Sequence, residues 1–155
     1  RHLLYLLRLF AVLRLYLGVI LVITVLGKLT RDAPFAVEML GFLGVVARRG
    51  ALPWYIGFIQ QVVVPNATIF SYLVMTGELV GAISLLSGML TRVGALVAML
   101  LFLNYMLAKG RMLWSPDSED AAVFFIALVV FLSRSGRVWG VDSLLAKRWP
   151  RSWLW

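Results

Sequence analysis

Long apolar runs decide what this chain folds into. Residues 9–27 carry a single charge, Arg14, residues 67–90 carry only Glu78, and residues 93–108 carry none. A helix needs about 20 mostly apolar residues to cross about 30 Å of hydrocarbon. A fourth run, Ala121–Ser133, is shorter, so its span is expected to start earlier, over residues 117–133. None of these runs alternates apolar with polar residues as a membrane β-strand does, and a closed barrel takes at least about eight strands. The expected fold is all-α: an integral membrane four-helix bundle forming one domain over residues 1–155. With 62% apolar and 14% charged residues, the chain is neither a soluble globule nor a disordered tail.

The connections carry their own signals. Residues 28–66 form a long loop that is unusually apolar. Phe35–Val46 and Trp54–Val64 are too short to span, and Pro53 and Pro65 bracket the second. They read as two short helices, or a re-entrant patch, packed on the outer mouth of the bundle. Residues 141–155 mix Leu144, Trp149 and Trp153 with Lys147, Arg148 and Arg151, which predicts an amphipathic tail on the membrane interface. Ser115 and Pro116, followed by Asp117, Glu119 and Asp120, predict the N-terminus of the fourth helix. The first run also has the basic start of a signal peptide. No small-residue cleavage site follows it cleanly, so it reads as a retained helix. The chain opens on Arg1 rather than Met, so a short segment is expected before it.

The net charge of +8 comes from cations that flank apolar spans, which points to membrane orientation and anionic lipid rather than nucleic acid. Arg1, Arg8, Arg14, Arg92, Arg134, Arg137, Lys147, Arg148 and Arg151 gather on one side, opposed only by Asp142. Lys28, Arg31, Arg48, Arg49, Lys109 and Arg111 on the other are nearly cancelled by acids. The asymmetry predicts both termini in the cytoplasm of a bacterial or archaeal cell, with residues 28–66 outside.

Polar groups inside a membrane are costly, so each needs a reason. Glu78 lies eleven residues into its run, about 16 Å deep at about 1.5 Å per residue. Asn104 reaches a similar depth from the opposite side, and Tyr105 follows it. Arg14, Glu78, Asn104 and Tyr105 are therefore the candidate buried polar site, with Arg14 the expected partner of Glu78. Either an ion pair that fixes helix pairing or a site for a quinone or a proton accounts for them. Gly77, Gly81, Ser84 and Gly88 form a small-residue stripe suited to close helix contact. Asn66-Ala67-Thr68 matches a glycosylation sequon next to a span. The chain has no cysteine, and its one histidine is His2, so it offers no metal site and no ligands for a haem or an iron–sulfur cluster. No phosphate loop, nucleophile elbow or zinc motif appears, and no catalytic residue is assigned. Any redox cofactor would be a diffusible quinone or belong to a partner.

Several short motifs in order resemble the DoxX family. They are Arg14-Leu15-Tyr16-Leu17-Gly18, Gly27-Lys28-Leu29, Gly77-Glu78-Leu79-Val80-Gly81 and Leu86-Ser87-Gly88-Met89-Leu90-Thr91-Arg92. The ending Ser135-Gly136-Arg137-Val138-Trp139-Gly140-Val141-Asp142 resembles the family's glycine-rich turn before a late aspartate. The resemblance implies a four-helix membrane protein related to the DoxD subunit of thiosulfate:quinone oxidoreductase, serving quinone-linked electron transfer. The extended outer loop around residues 60–69 departs from that pattern and suggests a specialised partner contact. Three roles follow as expectations. The first is an accessory subunit of a redox or energy-converting membrane complex, in contact with lipid and other membrane subunits. The second is a quinone-linked oxidoreductase component, and the third a transporter of protons or small solutes.

Overall fold

The computed structural model describes residues 2–49 and 52–154, with side chains from Leu4 onward. In chain order the helices are α1 (His2–Leu29), α2 (Phe35–Arg49) and α3 (Pro53–Phe58), the last continuing as a π-helical segment, Ile59–Val63. Then come α4 (Ala67–Ser87), α5 (Thr91–Lys109), α6 (Glu119–Leu132), a 3-10 turn at Ser135–Arg137 and the short α7 (Asp142–Arg148). Among the described residues there is no strand. The protein is an all-α membrane protein. Helices α1, α4 and α5 are long and apolar enough to cross a membrane. Helix α6 has 14 residues, about 21 Å at the rise of an α-helix, and is too short by that measure.

Helix α1 lies against α4 and α6, and α5 lies against the same two, so the four close into a ring. Leu17, Leu21, Leu85, Ala95, Ala98 and Val130 fill its centre. The outward faces are apolar too: Val12, Val19, Ile23, Leu73, Ile83, Leu100 and Phe125 are exposed. Helices apolar on every side suit a hydrocarbon surround, where no polar face is needed. Small residues set the helix spacing. Gly81 faces Leu21 and Val97, and a Cβ on Gly94 of α5 would stand 2.4 Å from Ser84 Oγ. Gly77 and Gly81 thus serve close packing, whereas Gly88 has left the helix and caps its end with a left-handed φ of +64°.

Two boundaries differ from the sequence reading. The Ser118 N–H donates to the Ser115 carbonyl and closes a single turn over Pro116, and the extended Ser118 backbone, φ −88° and ψ 91°, separates that turn from α6. Ser118 is the cap instead, accepting the Ala121 N–H at 3.3 Å, with Glu119 and Asp120 in the first turn. Helix α1 also runs past Gly27 to Leu29 and carries Lys28 within it.

The connection between α1 and α4 is itself folded. Leu43 and Val46 of α2, Tyr55 of α3, Ile59 and Val63 of the π segment, and Ala108 of α5 share a second core. These elements cap one end of the bundle. At the opposite end the 3-10 turn and α7 fold back on the turn between α4 and α5.

Candidate functional site

The cap end holds the buried polar centre. Glu78 of α4 is 1% exposed. Its Oε1 accepts a salt-bridging hydrogen bond from Lys28 Nζ of α1 and a second from the Tyr105 hydroxyl of α5 at 2.7 Å. Lys28 Nζ also lies 3.4 Å from the Tyr105 oxygen and 4.7 Å from the centre of the Phe35 ring. Side chains of α1, α4 and α5 thus meet at one carboxylate oxygen, with Phe35 at the start of α2 set against the Lys28 ammonium. Tyr105 is oriented further by edge-on contact with Phe102, one turn back on α5.

This cluster forms part of the wall of a cavity of about 680 Å³ between the bundle and its cap. Phe35, Phe42, Phe58, Phe70 and Phe102 line it, with aliphatic residues between them. The volume falls in the range of small-molecule sites, about 300–1,000 Å³, and the make-up is typical of them: a mostly apolar wall with a few convergent polar groups. Tyr55 contributes another ring, and burial pushes its phenol above the ordinary range, so it stays neutral there.

The four residues singled out in the sequence do not all meet. Glu78 and Tyr105 are bonded. Asn104 is exposed on α5 and opens onto the same cavity without bonding the other three. Arg14 is at the other end of the bundle, fourteen residues from Lys28 along α1, or about 21 Å at about 1.5 Å per residue. The expected Arg14–Glu78 pair is therefore corrected. Arg14 is fully buried and donates to the Trp139 carbonyl at 2.9 Å and to the Ser135 carbonyl at 3.5 Å. Beside it, the Asp142 carboxylate accepts the Leu90 N–H at 2.7 Å and the Thr91 N–H at 2.9 Å, capping α5. Arg14 and Asp142 clamp the chain end onto the α4–α5 turn and line no cavity with Glu78.

A model of the DoxX family matches residues 9–110, well over half of the 155. The chain belongs to the DoxX family. No curated protein and no solved structure matches it. The matched stretch contains Lys28, Glu78, Asn104 and Tyr105 together with the cap, while the clamp residues from Ser135 to Asp142 lie beyond it.

Lys28 is the residue of this DoxX site that sequence reasoning missed. The apolar run breaks after Gly27, so Lys28 counted as a loop cation. The Gly27-Lys28-Leu29 motif was the available signal. The depth estimate for Glu78 was misleading for a related reason. Lys28 is one residue from the end of α1, whereas Glu78 is eleven residues from the start of α4. The first turns of α4 therefore rise past the end of α1 and pack on α2 instead.

Two further ion pairs line the cavity. Arg31 pairs with Glu38 at 2.6 Å, and Lys109 of α5 pairs with Asp120 of α6 at 2.6 Å. The Lys109 side chain is 36% exposed but that of Asp120 only 10%, so Lys109→Met strands a mostly buried carboxylate. The change is expected to cost about 1–3 kcal/mol in a detergent melting experiment.

Proposed function

We propose that this DoxX protein is the quinone-binding membrane component of a redox system, with electrons delivered by a partner protein. The observation that carries the reading is the aromatic cavity closed at one point by Lys28, Glu78 and Tyr105. The charges along its wall are paired with one another, which favours an uncharged ligand over an ion. An uncharged ring that partitions into the membrane and carries hydrogen-bonding oxygens fits this chemistry. A quinone, when bound, supplies a two-electron acceptor. Lys28 has three N–H donors, directs two toward Glu78 and Tyr105, and keeps one for a ring oxygen. Glu78 holds Lys28 in place, Tyr105 holds Glu78, and the phenylalanines exclude water. These 155 residues hold no cysteine and a histidine only at position 2, which offers no cysteine-held cluster and no bis-histidine haem, and the reading assigns the electron donor to a partner. The cavity favours this reading over an accessory role without a ligand.

The test is a melting titration of the purified chain in detergent with a short-tailed benzoquinone. A ligand that binds only the folded state raises its stability as RT ln(1 + [L]/Kd). A saturable rise is expected for the wild type and none for Lys28→Met. No rise in the wild type would refute the quinone reading.

The cation distribution supports an orientation with both termini in the cytoplasm and the capped end outside. In intact cells, cysteine placed at Arg48 should react with an impermeant thiol reagent, and cysteine at Lys147 should not. The reverse pattern inverts the topology.

A further inference from the structure

Glu78 has a second carboxylate oxygen with nothing to accept. Oε1 takes the hydrogen bonds of Lys28 and Tyr105, whereas Oε2 is buried and has no partner among the described residues. A buried carboxylate oxygen without a donor is unfavourable, because the water it gave up has not been replaced. Glu78 belongs to the cavity wall, and the last torsion of a glutamate side chain is soft. A turn about that torsion is what would bring Oε2 to a ligand in the cavity.

The two redox states of a quinone differ in what they offer this atom. The ring oxygens of the oxidised form only accept hydrogen bonds. A hydroquinone hydroxyl both donates and accepts. Resting on the quinone reading above, we infer that the site binds the reduced, hydroxyl-bearing ring more tightly than the oxidised one. One ring hydroxyl donates to Glu78 Oε2 while its oxygen accepts from Lys28 Nζ. The ligand then supplies the donor that the protein lacks.

The preference has a consequence for electron flow. The oxidised ring takes two electrons from the partner's donor and two protons from water to give the hydroquinone. Tighter binding of the product raises the potential of the bound couple. Each tenfold preference is worth about 30 mV for a two-electron couple. The site therefore makes a bound quinone a stronger acceptor than a free one.

The experiment uses the full chain in detergent and three ligands with the same short tail: a benzoquinone, its hydroquinone and the hydroquinone dimethyl ether. Calorimetric titration under argon, with dithionite present for the reduced ligand, gives each Kd. The chain has no cysteine for the reductant to alter. The hydroquinone is expected to bind at least about tenfold tighter than the quinone, the factor for one hydrogen bond to a charged acceptor. The ether, which cannot donate, is expected to bind no tighter than the quinone. Glu78→Gln should bring the hydroquinone-to-quinone ratio close to one. Should that variant fail to fold, the wild-type comparison of three ligands decides alone. A quinone that binds as tightly as the hydroquinone, or an ether that matches it, overturns this inference and leaves the quinone reading standing. Failure of all three ligands to bind overturns both.

Discussion

Lys28→Met is expected to destabilise the protein by about 3–5 kcal/mol, the cost of removing one partner from a buried ion pair. The Glu78 carboxylate is 1% exposed and would keep only the Tyr105 hydroxyl. Glu78→Gln should cost less. The Lys28 side chain is 14% exposed, so the stranded ammonium keeps water within reach, whereas the stranded carboxylate is 1% exposed and bears an uncompensated charge. The double variant Lys28→Met, Glu78→Leu should recover most of the loss, because replacing both charges with apolar groups leaves nothing unpaired. The measurement is a double-mutant cycle of melting in one detergent. Losses that simply add would mean that the two residues are not coupled. The recovered double variant should still fail to bind the benzoquinone, which separates what the pair does for folding from what it does for a ligand.

The residues that were hard to read from the sequence share a physical feature. Spans α1, α4 and α5 are legible because a membrane demands uninterrupted apolar length, and that demand is local in sequence. Glu78 and Asn104 are legible for the same reason, since a polar group within such a run stands out, and Tyr105 enters only as the neighbour of Asn104. Which cation meets Glu78 is a question of helix offset, and offset is set by packing far away in sequence. The folded cap of α2 and α3 lifts the start of α4 above the end of α1. Counting depth from each run's own edge therefore matched Glu78 with Arg14 instead of Lys28. The start of α6 is ambiguous in the sequence because Ser115-Pro116 and Ser118-Glu119 both look like caps. The extended Ser118 backbone and the Ala121 N–H bonded to its hydroxyl distinguish them. The glycine-rich ending resembles the family's pattern in sequence, and its purpose is visible only in the fold, where Gly88, Gly136 and Gly140 surround Arg14, Thr91 and Asp142.

That clamp gives the second large effect. Gly88→Ala is expected to cost about 2–5 kcal/mol, the sum of two separate penalties. A left-handed backbone is worth about 1–2 kcal/mol against a residue with a Cβ, and overpacking adds about 1–3 kcal/mol. The new Cβ would stand 2.1 Å from Arg14 Nη1 and 2.6 Å from the Gly140 Cα. Arg14 can shift only by loosening its bond to the Trp139 carbonyl, and the Gly140 backbone only by pulling Asp142 from the first turn of α5. Neither neighbour yields cheaply. Gly41→Ala is the matching control: it lies within α2 with nothing near its Cβ, and should be neutral or gain up to about 1 kcal/mol from helix propensity. Melting of the two variants in one detergent checks the contrast, and equal effects would mean that Gly88 is not a contact point. Functionally the clamp and the cavity should be separable. Arg14 lies about 21 Å along α1 from Lys28, so folded Gly88→Ala protein should bind the benzoquinone as the wild type does. Lys28→Met, with a similar loss of stability, should not. If Gly88→Ala also abolished binding in folded protein, the two ends of the bundle would be coupled, and Arg14 would return to the functional site from which the structure separates it.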